Sequence, residues 1–141
     1  MTLHEYAQFS AAVDELSRML LWIRKHLTHA KMDHRASQKV ELAAEEAILN
    51  VIRYAYQEKG GKIELTFREL TQGIEITILD HGPPFDPLTE APSPDRSSPL
   101  EKRKEGGLGV FLMRACVDDL RYKREGQANI LTLSKHFSQK K

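Results

Sequence analysis

A chain of 141 residues, 40% hydrophobic and 29% charged, suits one soluble globular domain that needs no disulfide or metal staple. Its formal net charge of +1 provides no global field for nucleic acid or an anionic membrane surface. A lone cysteine, Cys116, excludes an internal disulfide framework, and no apolar run approaches the ~20 residues of a membrane span.

Met1 to Ser10 lacks a basic segment leading into a long apolar run, so no signal peptide is expected and the compartment is expected to be cytoplasmic. From Ser10 to Leu27, Val13, Leu16, Leu20, Ile23 and Leu27 recur at three- and four-residue steps and predict an amphipathic helix. Arg18 and Trp22 fall off that stripe, and an exposed Trp22 is a candidate for dimer contact. Asp33 stands where it can cap a second helix running to about Tyr56, with Val40, Ala44, Ala47, Ile48 and Val51 on its core side. Gly60-Gly61 stops it. Alternation then takes over in Ile63, Leu65 and Phe67, and again in Ile74, Ile76 and Ile78 beyond a turn at Thr71-Gln72-Gly73, predicting an antiparallel hairpin.

His81 to Glu105 breaks all periodicity and holds all six prolines, which predicts a long loop, of a length that is usually either functional or disordered. Gly106-Gly107-Leu108-Gly109 opens a third helix through about Val117, with Cys116 as a small buried residue of its apolar side. Leu120–Lys123 and Asn129–Lys135 read as a closing strand pair around Glu125-Gly126. The expected architecture is α+β, a two-layer sandwich in which helices cover one face of a mixed, mainly antiparallel sheet. Residues 1–141 are expected to form a single domain.

Four features carry chemistry. Glu46 and Asn50 lie four apart on the second helix and share a face; the pair is either a solvated polar stripe or a carboxylate base beside an amide oxygen for Mg²⁺. Asp80 leaves an apolar strand in Leu79-Asp80-His81-Gly82; it either starts a turn or accepts a hydrogen bond from an exocyclic amine such as adenine's, with Gly82 letting a flat ring approach the backbone. Gly106, Gly107, Leu108 and Gly109 at a helix start expose backbone N–H groups at the positive end of the helix dipole, a seat for phosphate if they are more than a flexible turn. Lys102, Arg103 and Lys104 are a solvated charge run, or else cations beside a triphosphate. Metal-site spacing is absent from the six histidines, and the GxxxxGK[ST] phosphate loop does not occur.

Together these residues resemble the GHKL ATPase superfamily of gyrase, Hsp90, histidine kinases and MutL. Glu45-Glu46-Ala47-Ile48-Leu49-Asn50 is similar to its N box, Asp80-His81-Gly82 to its first glycine box, and Gly106-Gly107-Leu108-Gly109 to its second. Within it, Pro84-Phe85-Asp86-Pro87 and the Gly-Gly-Leu-Gly-Val-Phe-Leu-Met-Arg run most resemble the anti-sigma-factor serine kinases of the RsbW and SpoIIAB type, over about Phe9 to Lys135. That resemblance implies a Bergerat fold binding ATP and Mg²⁺, with a lid at about 83–105. It implies Glu46 as the general base toward a substrate serine and Asn50 as the Mg²⁺ ligand. It further implies Asp80 and Gly82 at adenine, and Gly106, Gly107, Leu108 and Gly109 at the phosphates. Asn129 stands where the family often places a threonine near adenine, and Val51 and Tyr54 depart from the usual small residue and histidine after the N-box asparagine.

The implied partners are a sigma factor and an anti-anti-sigma STAS protein, with a homodimeric assembly and Arg18 as a partner contact. The expected activity is ATP-dependent phosphorylation of a serine on the STAS partner. The alternatives are a nucleotide-regulated sequestration module without phosphotransfer, and the catalytic domain of a histidine kinase. The latter is disfavoured because no helix pair with a phosphoacceptor histidine precedes the second helix.

Overall fold

The computed structural model describes residues 4–57, 59–90 and 107–138. Strand β1 (His4–Ser10) leads through a 3₁₀ turn (Val13–Glu15) into α1 (Leu16–His29) and α2 (His34–Asn50). A single π turn, Val51–Ala55, continues α2 without a break. The hairpin β2 (Lys62–Glu69) and β3 (Gly73–Asp80) follows, then a short helix α3 (Pro87–Glu90). Helix α4 (Gly107–Cys116) precedes the closing hairpin β4 (Asp119–Glu125) and β5 (Ala128–His136).

The five strands form one sheet in the order β1-β2-β3-β5-β4, and all four pairings are antiparallel, so the expected mixed character is absent among the described residues. One sheet face carries Ile63, Leu65 and Phe67, Ile74, Ile76 and Ile78, and Leu131 and Leu133, all buried under the helices. The period of two that buries Ile74, Ile76 and Ile78 also turns Asp80 inward, and the same parity turns Asn129 inward ahead of Leu131 and Leu133. The register then sets Asp80 directly opposite Asn129. Two polar side chains are thereby delivered to the end of an apolar layer.

Against this sheet α2 lays Val40, Ala44, Ala47, Ile48 and Val51, all buried as the pattern predicts. The α1 stripe is rotated from its expected setting: Met19, Ile23 and Leu27 are fully buried, whereas Val13 is 57% exposed because it belongs to the 3₁₀ turn. Asp33 occupies the N-cap position of α2, but its side chain makes no capping bond and accepts one from the Ser138 hydroxyl at 3.0 Å instead. Cys116 is buried, as expected. Strand β1 escapes sequence reading because His4-Glu5-Tyr6-Ala7-Gln8-Phe9-Ser10 lacks apolar alternation; pairing with β2 makes it a strand.

Trp22 is half-buried, not exposed. Its ring meets His26 edge-on at 4.5 Å and Phe9 of β1 at 6.5 Å, and His26 in turn lies 5.5 Å from Phe67. Burial in this aromatic box lowers the His26 pKa below its ordinary 6.5, with Lys25 and His29 adding to the effect and Glu5 opposing it. The unfolded chain therefore binds the proton more readily than the native one. The contribution of His26 is intact above pH 6.5 and declines as the pH falls through 6.5 toward the lower native value. Chemical denaturation at pH 7.5 and 5.0 should show His26→Phe losing less stability on acidification than the parent. An equal loss in both proteins would contradict the assignment.

Candidate functional site

The site lies where α2, the start of α4 and the ends of β3 and β5 meet. On α2, Glu46 is partly buried and Asn50 is 2% exposed, one turn apart on the inner face. Helix α4 packs across α2 at this level. A Cβ built on Gly109 would strike the Glu46 Oε2 and lie 2.9 Å from its Cδ. Glycine lets the first turn of α4 lie against the Glu46 carboxylate as it stands; a larger residue would push that carboxylate aside. The N–H groups of a helix's first turn, together with the helix dipole, favour negative charge there.

Asp80 is 2% exposed at the end of β3. Its Oδ1 accepts from the Gly82 N–H at 2.9 Å and from Asn129 Nδ2 at 2.8 Å. Both bonds fall on Oδ1, and among the described residues none donates to Oδ2. Burial pushes the Asp80 carboxyl above its ordinary value of 3.8, against the lowering pull of Asn129, Gly82, Arg124 and His81. Gly82 is confined as well: a Cβ there would sit 2.9 Å from the Ala55 carbonyl oxygen at the end of the π turn.

Asn129 acts as a clasp for the loop that follows Asp80. Its Nδ2 donates to Asp80 and to the Pro83 carbonyl at 2.9 Å, and its Oδ1 accepts from the Phe85 N–H at 3.1 Å and from Tyr122 Oη at 2.6 Å. Both donors and both acceptor positions of the amide are thus taken by protein. Asn129 holds Asp80 in place; the direct adenine contact expected of it would require one of these bonds to open. Arg124 adds a further tie, donating from Nη1 to the Gly82 carbonyl at 2.7 Å. Tyr56 accepts from the His81 N–H at 2.8 Å while donating to the Lys62 carbonyl at 2.7 Å.

Sequence reasoning missed Tyr56, Tyr122 and Arg124. The last two share the inward parity of β4 with Leu120, and that alternation was the available signal. Glu46, Asn50, Asp80, Gly82, Gly109 and Asn129 all come to this region, and the Gly107 and Leu108 backbone opens α4 beside it. Gly106, the Lys102–Lys104 run and the lid beyond Glu90 lie outside the described residues. Arg18 is elsewhere, an exposed α1 side chain bonded to Glu15 at 3.1 Å.

A nucleotide fits this donor set on one observation: Asn50 Nδ2, a hydrogen-bond donor, is the one buried side-chain nitrogen or oxygen without a partner among the described residues, open to an acceptor such as a phosphate oxygen, while the Oδ1 of the same side chain is the atom that could serve Mg²⁺. Unmet buried polar groups cost stability and mark ligand positions when they line a cavity. Asn50 lines the same small cavity as Asp80. Among the described residues no group of three or more His, Cys, Asp or Glu side chains could hold a metal ion.

Residues 9–135 match the family model of the histidine kinase-like ATPase domain. The chain belongs to this family. Its stretch of matched residues agrees with the Phe9–Lys135 span over which the motifs suggested it. Within the family the chain is of the RsbW type. The serine-protein kinase RsbW of Oceanobacillus iheyensis is 31% identical over 110 residues, which covers 75% of this chain and 69% of that protein. RsbW of Halalkalibacterium halodurans is 36% identical over 101 residues, 70% of this chain and 61% of the relative. The serine/threonine-protein kinase BtrW of Bordetella bronchiseptica is 29% identical over 130 residues, 92% and 91% of the two chains.

Among solved structures, a Mycobacterium tuberculosis protein with RsbU and RsbW domains superposes with a TM-score of 0.68 at 15% identity, covering 98% of this chain and 33% of that one. The catalytic domain of histidine kinase ThkA gives 0.54 at 14% identity, covering 94% and 97%. At such identities the likeness is one of fold, and it agrees with helices layered on one sheet face. No helix among the described residues is long and apolar enough to cross a membrane.

Proposed function

We propose that this histidine kinase-like ATPase domain is an ATP-dependent protein serine kinase that also serves as an anti-sigma factor. Its substrate is a serine of an anti-anti-sigma STAS protein, and a sigma factor is its second partner. The single observation that carries the reading is the convergence of Glu46, Asn50, Asp80 and the Gly109 turn on one region, with the Asn50 amide left unmatched. The RsbW and BtrW relatives bear kinase names, which supports the same choice over a bare sequestration module.

Phosphoryl transfer asks a protein mainly for positioning and for neutralisation of developing charge. Asp80 Oδ2 accepts from the adenine amine, and Gly82, packed against the Ala55 carbonyl, fixes the backbone beside it. The first-turn N–H groups at Gly107, Leu108 and Gly109 hold phosphate oxygens. Asn50 would hold Mg²⁺ through its carboxamide oxygen, and the ion would supply neutralisation of the phosphate charge. Glu46, beside Gly109, takes the proton of the attacking serine hydroxyl. Arg18 on exposed α1 and a homodimeric assembly belong to the partner side of the proposal. Incubation of the protein with labelled ATP and STAS proteins from the same genome should place label on a partner serine. ATP binding without label on any of them would favour the sequestration module instead.

A further inference from the structure

The cavity that joins Asn50 to Asp80 has a volume of only about 10 Å³. That is room for about one water, roughly 10–15 Å³, whereas small-molecule sites commonly span roughly 300–1,000 Å³. Most of its walls are fixed elements: α2 and its π turn, β3, β4 and β5. Two wall residues are different. Phe85, from the loop after Asp80, and Pro87, the first residue of the short helix α3, close the cavity on that side.

Phe85 is held at two points. Its ring stacks on Tyr54 of the π turn, centroids 5.7 Å apart and planes inclined by 26°, and its N–H donates to Asn129 Oδ1 at 3.1 Å. The ring is only partly buried, and its backbone tie is a single neutral hydrogen bond. A side chain so held can swing outward without unfolding a strand or a long helix.

Resting on the nucleotide reading, we propose that Phe85 is the gate of the adenine pocket. Stacked on Tyr54, it denies a purine access to Asp80 and Asn50, and entry requires that stack to open. The binding-competent form is then a minor population, and apparent affinity is reduced by its fraction. An aromatic residue four positions after Asn50 thus has a role of its own where the related pattern often has histidine.

The test is stopped-flow and equilibrium binding of a fluorescent ATP analogue to the full chain. Phe85→Ala should raise the association rate and tighten apparent binding by roughly 2- to 10-fold, the range expected from releasing one aromatic stack. Tyr54→Leu should give a similar gain, and the double variant no more than either alone, since both remove the same interaction. Phe85→Leu, which keeps apolar volume but loses the stack, guards against misfolding of the alanine variant and should also accelerate binding. Weaker binding in folded Phe85→Ala and Phe85→Leu, or independent additive effects of the two sites, overturns the gate and makes Phe85 a wall of the bound pocket. If the unaltered protein binds no adenine nucleotide, the nucleotide reading falls and the gate with it; if it binds and the variants match it, only the gate falls.

Discussion

Glu46→Gln is expected to lower the rate of serine phosphorylation by roughly 10²–10⁴-fold while leaving ATP affinity within a few-fold of the parent. The substitution keeps the volume that Gly109 packs against, so the start of α4 stays in place and only proton acceptance is lost. Glu46→Ala removes the same base and should be equally inactive. Single-turnover transfer from labelled ATP, beside an equilibrium titration of the nucleotide, separates chemistry from binding. Parent-like transfer by either variant would remove Glu46 from the reaction.

Asp80→Asn is expected to act in two opposite directions. The oxygen of the introduced amide can still accept from Gly82 and Asn129, but an N–H₂ now stands at the position of Oδ2 and faces the adenine amine, donor to donor. Losing a hydrogen bond to a charged acceptor costs about 1.5–3 kcal/mol, a roughly 10- to 100-fold weaker ATP complex. The ligand-free protein should meanwhile become more stable. Burial raises the native pKa of Asp80, so the unfolded state releases the proton first. The carboxyl is therefore least costly to the fold below 3.8 and destabilises increasingly as the pH rises through the elevated native value. Asparagine removes that cost at neutral pH. Melting curves without nucleotide should show a higher Tm for Asp80→Asn at pH 7, with the advantage shrinking on acidification. A lower Tm at pH 7 would mean that the carboxylate is a structural partner instead of a reserved acceptor.

The cost that Asp80 and Asn50 impose on the empty fold also explains which parts of the site the chain made readable. Helix α2 was legible because Val40, Ala44, Ala47, Ile48 and Val51 keep one face apolar over several turns, and Glu46 and Asn50 interrupt that logic visibly. Asp80 was legible for the same reason, as a charge ending an isoleucine alternation. The Asn129 clasp was not, because it depends on register: nothing local to Gln127-Ala128-Asn129 says that Asp80 stands opposite. Tyr122 and Arg124 were harder to read because Arg124 puts a charge on the inward face of β4 and blurs its contrast with the charged outer positions. Strand β1 was invisible because an edge strand exposed on much of its surface has no burial pattern to display. The rotation of the α1 stripe has a similar origin, since the 3₁₀ turn at Val13–Glu15 shifts the helical phase that the periodic count had begun one turn earlier. Long-range pairing and a local change of helical pitch are the two things a periodic reading does not contain.

Calorimetric titration of ATP with and without Mg²⁺, on the parent and on Asn50→Ala, tests most directly whether these separated residues share one magnesium nucleotide. ATP should bind the parent more tightly when Mg²⁺ is present, and Asn50→Ala should lose that increment while keeping the magnesium-free affinity set by Asp80. No adenine nucleotide binding by the parent, or a magnesium increment undiminished in Asn50→Ala, would contradict the account.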